Sequence, residues 1–243
     1  TIDYGPYGWL EDYDPDWTPN TTDAEGRRYR FRNQPDIALW NLVQLGNALY
    51  PLIEDIAPME QVLNSYSQQF DSQFPIMQQQ KLGLQAEYDA DFQDELITLL
   101  TASETDMTIF YRNLANVVKT DTSDEALAKI EVAFYQPNKI VTTLKTSWLN
   151  WMELYLEKIK AEILSDEERK LAMNTINPKY VLRNYMAQLA IEAAEKEDYT
   201  LIDELYTLLK NPYDEQPQYE KWFAKRPDWA RHKVGCSMLS CSS

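Results

Sequence analysis

The sequence predicts a mainly α protein with an irregular N-terminal segment, and three observations carry that prediction. Apolar residues recur at helical spacing through most of the chain after Gln34. The first 34 positions show no sustained period of 2 or 3.6, and are rich instead in Gly, Pro, Asp and Asn. No internal repeat of fixed period and no low-complexity linker interrupts the pattern.

The N-terminal segment carries Tyr4, Tyr7, Trp9, Tyr13 and Trp17, an aromatic density that predicts an ordered loop pinned to a helical body. Pro35 suits a first helical position, with Asn33 as a cap before it. Asp36 to Tyr50 is apolar around most of its circumference, with Asn41, Gln44 and Asn47 as one polar stripe, and reads as the buried core helix of the domain. Pro51 and Pro58 should break the chain before a Gln-rich amphipathic stretch from Met59 to Leu84, itself kinked or divided at Pro75.

Further helices are expected over Asp89 to Leu100, Glu104 to Val118 and Asp124 to Phe134, the last capped by Ser123 or Asp124. Thr146 to Leu164 is the clearest periodic element. It places Trp148, Trp151, Met152, Tyr155, Ile159 and Ile163 on one face, a stripe better suited to core packing than to a cofactor pocket, with Lys158 and Glu162 as an exposed pair. Asn177-Pro178 should start a helix buried through Val181, Tyr185, Leu189 and Ala193. A last helix through Leu201, Leu205, Leu208 and Leu209 should end at Pro212.

Composition removes several function classes. A formal net charge of −16 argues against a nucleic-acid partner, which needs a basic surface to displace counterions. Arg27, Arg28, Arg30 and Arg32 could grip phosphate, but Asp3, Glu11, Asp12, Asp14, Asp16, Asp23 and Glu25 lie just upstream and favour arginine–carboxylate pairing. No apolar run of about 18 residues is present, so no membrane partner is expected. The chain opens on Thr1 and not on Met, which suggests a fragment of a longer protein, and two cysteines near the end suit a reducing, cytoplasmic setting.

The motif kits for self-contained catalysis are missing. His232, the single histidine, sits near the tail and reads as solvent-exposed, so neither a nucleophile–histidine pair nor a zinc site has its parts. Asp12-x-Asp14-x-Asp16 imitates a calcium loop until Trp17 replaces the required glycine. None of the six glycines forms a phosphate-cradling motif.

One string is specific. Asp3-Tyr4-Gly5-Pro6-Tyr7-Gly8, Tyr13-Asp14-Pro15-Asp16, Thr21-Thr22-Asp23, Gly26-Arg27-Arg28-Tyr29 and Phe31-Arg32-Asn33-Gln34-Pro35 together resemble the selenoprotein O family of kinase-like protein adenylyltransferases. Asn177-Pro178-Lys179-Tyr180-Val181-Leu182-Arg183-Asn184-Tyr185, Pro212-Tyr213-Asp214-Glu215-Gln216-Pro217 and Cys241-Ser242-Ser243 agree. The resemblance covers the whole chain but only the second half of the family's fold. It implies the helical C-terminal lobe of a protein-kinase-like fold: residues 1–35 as metal motif and activation-loop-like segment, 36–230 as helical domain, 231–243 as tail.

By that resemblance, Asp3 binds Mg²⁺ (or Mn²⁺) and so the phosphates of ATP, as the kinase Asp-Phe-Gly aspartate does. The implied reaction moves AMP from ATP to Ser, Thr or Tyr hydroxyls of protein substrates. The base, the lysine and the glycine-rich loop would lie upstream of Thr1, in a missing N-terminal lobe, leaving this chain inactive alone. Cys241 stands where the family carries cysteine or selenocysteine and is the redox candidate, with Cys236 its only intrachain partner. The alternative is a non-catalytic helical regulatory or interaction module with an acidic surface.

Overall fold

The computed structural model describes residues 8–18, 26–86, 89–233 and 236. They are helical, with no strand among them; two isolated bridges, Asp12 with Asp106 and Thr105 with Phe134, are the only extended pairings among the described residues. The chain divides into two units. One contains the described residues of 15–78 together with Gly8, the other residues 9–14 and 79–237.

In the first unit, α1 spans Gln34–Ile53 and α2 spans Ala57–Lys81, whose last turn passes into the second unit. Pro35 lies in the first turn of α1, where its missing N–H has no helical partner to lose. Asn33 precedes the helix but caps nothing: its side chain donates to the Arg28 carbonyl at 2.6 Å. The chain breaks between Pro51 and Pro58, as expected, but Pro51 itself lies inside the helix before the break. It falls in the last turn of α1, which ends at Glu54 in the left-handed conformation. Likewise Pro58 occupies the first turn of α2, and the helix runs through Pro75 without dividing.

The arginine cluster is held by acid, as the sequence favours. Asp16 pairs with Arg30 at 3.2 Å and Arg32 at 2.8 Å, and Arg28 lies over the Trp40 ring. The expectation that α1 is the buried core fails, since none of its residues is buried. Its helical character was readable from local pattern, but burial depends on what packs around it.

The core lies in the second unit, around α6 (Thr142–Ala161). Trp148, Trp151, Met152, Tyr155 and Ile159 are wholly buried against α3 (Ala90–Ala102), α4 (Met107–Leu114) and α5 (Ser123–Ile130). Each buried polar tip finds an acceptor: Trp148 Nε1 donates to Ser103 Oγ, Trp151 Nε1 to the Phe92 carbonyl and Tyr155 OH to the Leu82 carbonyl. The stripe is therefore core, not a cofactor wall. Ile163 departs from it: the helix stops at Ala161, leaving Ile163 96% exposed. Glu162 does not pair with Lys158. Its carboxylate accepts from the amides of Gln85 and Ala86, while Lys158 lies over the Phe92 ring.

Caps set the helix starts. Asp89, Asp106, Thr122 and Ser165 accept amide hydrogens in the first turns of α3, α4, α5 and α7 (Asp166–Ile176). The cap of α5 is thus Thr122, in a reciprocal box with Glu125, rather than Ser123 or Asp124. A second core gathers α8 (Asn184–Ala194) and α9 (Thr200–Leu209) with Tyr180, Trp222, Ala230 and Cys236. Asn177-Pro178 does not start a helix. Lys179 and Tyr180 instead give their amides to the Pro212 carbonyl, and the helix begins at Asn184.

Candidate functional site

The residues that follow the Asp-Tyr-Gly string are locked into the second unit by backbone pairing. Trp9 N donates to Asn184 Oδ1 at 3.3 Å, Met107 N to the Glu11 carbonyl at 3.0 Å and Tyr13 N to the Thr105 carbonyl at 2.8 Å. Leu10 and Glu11 are buried as a result.

Charge does the rest. Asp106 is fully buried, and its carboxylate accepts Ile109 N as helix cap, the Tyr135 hydroxyl at 3.2 Å and both terminal nitrogens of Arg183, at 2.6 and 3.0 Å. Such a two-pronged grip fixes the guanidinium plane as well as neutralising it. Arg183 Nη1 lies 3.8 Å from Glu11, and Arg226 bridges Glu11 at 3.3 Å and Asp12 at 2.9 Å. Three acids and two arginines thus close one network around the chain following the Asp-Tyr-Gly string.

Burial alone would lower the pKa of Arg183, but the Asp106 carboxylate outweighs it and holds the guanidinium more firmly charged than usual. Glu11 is different. Burial pushes its carboxyl up to about 7 despite Arg183 and Arg226, and its Oε1 has no hydrogen-bond partner. A raised folded-state pKa means that the native protein keeps a proton which the unfolded chain releases from about 4.5. The contribution to stability is fully present below about 4.5 and is lost as pH rises through about 7. Glu11→Gln should therefore match the parent near pH 4.5 and exceed it by up to about 3 kcal/mol near pH 8. Urea midpoints measured across that range test this; equal pH slopes in both proteins would refute it.

A second constellation joins the two later motifs. Arg112 donates to the carbonyls of Asn174, Asn177 and Tyr213 and to Glu215 Oε1 at 2.8 Å. Lys179 pairs with Glu215 at 2.9 Å and Glu220 at 2.6 Å. These cations are committed to carboxylates, so Lys179, Arg183 and Glu215 act as a frame and not as a phosphate grip. Sequence reading flagged the strings containing them and offered Glu11 as a partner for the arginines of 27–32, whereas its arginines are Arg183 and Arg226; it did not single out Asp106, Arg112 or Arg226.

Thr1, Asp3 and Cys241 lie outside the described residues. The metal role of Asp3, the base expected upstream of Thr1 and the redox role of Cys241 therefore have no counterpart in the geometry above. Asp16 is held by Arg30 and Arg32, the pairing within the loop that the sequence favours, while Asp12 is held by Arg226 from the far end of the chain. Among the described residues no group of three His, Cys, Asp or Glu side chains is placed to hold a metal ion. His232 is exposed, as expected. Cys236 is buried, and burial raises its thiol pKa. No helix among the described residues is long and apolar enough to cross a membrane.

Comparison with known proteins bears on the same strings. The family model described as Protein adenylyltransferase SelO matches residues 1–210. A protein described as Protein nucleotidyltransferase YdiU, from Flavobacterium johnsoniae, is 59% identical over 245 residues, covering 100% of this chain and 47% of the relative. Proteins of the same description from Rhodopirellula baltica and Aromatoleum aromaticum are each 48% identical, covering all of this chain and 47% and 46% of their own lengths. The chain spans about half the length of these relatives. A family model that matches most of the sequence, and relatives this similar along all of it, place the chain in the SelO family of protein adenylyltransferases.

Proposed function

We propose that this chain is the helical C-terminal lobe of a kinase-like protein adenylyltransferase. In this reading the whole protein transfers AMP from ATP to Ser, Thr or Tyr hydroxyls of other proteins. The observation that carries it is the family match from Thr1 through residue 210, which includes the Asp3-Tyr4-Gly5 string. In the reaction the acceptor hydroxyl oxygen bonds to the α-phosphorus of ATP, its proton passes to a base, and the bond to the β-phosphate oxygen breaks to release pyrophosphate.

Asp3 fits a divalent ion chemically, since its carboxylate is the hard oxygen donor that Mg²⁺ prefers. Mg²⁺ is commonly held by only one or two carboxylates together with substrate phosphates. The ion would neutralise charge building on the phosphates. This chain's own part is to hold the residues after Asp3 in place, through Glu11, Asp106, Arg183 and Arg226. The base and the remaining phosphate ligands belong to the rest of the protein, upstream of Thr1, so the chain alone is inactive. Cys241 is its redox-responsive thiol, and sparse cysteine suits a cytoplasmic setting.

The test is label transfer in the full-length protein with Mg²⁺, using ATP radioactive at the α-phosphorus. Protein labelling should fall to background in Asp3→Ala, and should not appear with label at the γ-phosphorus. Labelling unchanged in Asp3→Ala would remove Asp3 from the site. Absence of label in the folded, reduced parent would favour the non-catalytic module.

A further inference from the structure

Glu11 sits in a cluster whose charges do not balance. Three carboxylates, Glu11, Asp106 and Asp12, share two guanidinium groups, Arg183 and Arg226. The other titratable groups that act on or feel Glu11, namely Tyr135, Tyr185 and Cys236, bring no positive charge. The three acids are not equally served. Asp106 takes both terminal nitrogens of Arg183, and Asp12, partly open to water, takes Arg226 at 2.9 Å. Glu11 is buried and keeps what is left: Arg183 at 3.8 Å, Arg226 at 3.3 Å, and one oxygen without a hydrogen-bond partner. An excess negative charge in a buried site is relieved by binding a proton, and the poorest-served acid is where that proton settles. The rise of the Glu11 carboxyl to about 7 agrees with that geometry.

The same residue stands where the segment docks. Trp9 N donates to Asn184 Oδ1, Met107 N to the Glu11 carbonyl and Tyr13 N to the Thr105 carbonyl, so the hydrogen bonds that hold the segment lie on it and to either side. The Asp3-Tyr4-Gly5 string lies just upstream in the chain. With the proton on Glu11, two carboxylates meet two guanidinium groups and the cluster is neutral. Without it, Glu11 and Asp106 are like charges in a site that water does not reach.

We propose that the proton on Glu11 is a latch, which docks the segment from Trp9 to Tyr13 on the second unit in mild acid and loosens that docking as it is lost toward neutral pH. Glu11 is then a positioning residue, acting through the backbone of the segment. Its consequence for AMP transfer rests on the proposed role of Asp3; the docking itself does not.

Amide hydrogen exchange of the full-length protein, read by mass spectrometry on peptides covering residues 9–13, tests the latch. Glu11→Gln is the form that cannot ionise, and taking the ratio of parent to variant rates cancels the ordinary rise of exchange with pH. That ratio should be near one at about pH 4.5, climb by up to about tenfold per pH unit, and level off above about 7. A ratio that stays flat would overturn the proposal. So would exchange in residues 9–13 no faster than in α6, since the segment would then leave only when the whole unit unfolds.

Asp12→Asn reads the same latch without touching Glu11. It removes the excess acid and leaves Arg226 to Glu11, so the climb should be smaller and level off at lower pH; an unchanged profile would refute the charge count. Label transfer separates this inference from the reading of Asp3. The exchange step in a protein that transfers no label supports the latch and removes only that reading. Transfer that depends on Asp3, together with a flat exchange ratio, removes the latch alone.

Discussion

Arg183→Met should lower the stability of the second unit by about 3–5 kcal/mol, the usual cost of removing one partner from a buried ion pair. The side chain is long, apolar and of similar reach, so it fills the space; what it cannot do is answer the charge it leaves. Asp106 would keep only the Ile109 amide and the Tyr135 hydroxyl as donors, in a site with no exposure to water. Glu11 would lose one of its two neighbouring guanidinium groups.

The charge argument has its own control. Asparagine caps a helix about as well as aspartate, so Asp106→Asn preserves the start of α4 while removing the orphaned charge. Arg183→Met combined with Asp106→Asn should therefore recover about 1–3 kcal/mol of what Arg183→Met loses. Urea unfolding followed by circular dichroism measures both. A single-variant loss below about 1 kcal/mol, the range of exposed pairs, would show that the network is solvated and that the chain after the Asp-Tyr-Gly string is held by backbone pairing alone.

That network was invisible in the sequence for a physical reason. Glu11, Asp106, Arg183 and Arg226 come from four distant stretches, and an ion pair leaves no periodic trace. The α6 stripe was legible because Trp148, Trp151, Tyr155 and Ile159 obey a local 3.6-residue period that any helix must express. Helix α7 was missed for the converse reason: Asp166-Glu167-Glu168-Arg169-Lys170 is polar, and only Arg169 and Met173 face inward. At Asn177-Pro178 a local start signal lost to tertiary bonds, with the Asn177 side chain tied to the Lys81 carbonyl and the next amides to Pro212. Family motifs marked the strings that contain Lys179, Arg183 and Glu215, which periodicity could not, without saying which acid meets which base.

Trp151→Ala should cost about 3–5 kcal/mol, the range for deleting a large buried aromatic side chain. Trp151 is the middle plate of a three-ring stack, with Phe92 at 4.9 Å and 13° on one side and Tyr155 at 5.3 Å and 9° on the other. Trp148 meets it edge-on at 6.1 Å. Removing the middle ring deletes both stacked contacts at once, each worth about 0.5–1.5 kcal/mol beyond area. The slot cannot collapse freely, because the Phe92 carbonyl and Tyr155 hydroxyl are tied to helix ladder and Leu82 respectively. Trp151→Phe should recover more than half of the loss, since a smaller ring still fills the stack and only the Nε1 bond to Phe92 goes. The contrast lies on α1, where Leu52 is 82% exposed and Leu52→Ala should stay within about 0.5 kcal/mol in this chain. Helix α1 is the more apolar of the two in sequence, so the difference between those two urea midpoints measures what surrounding structure adds to hydrophobic pattern. A Trp151→Ala loss as small as that of Leu52→Ala would mean that the aromatic core is loose enough to refill itself.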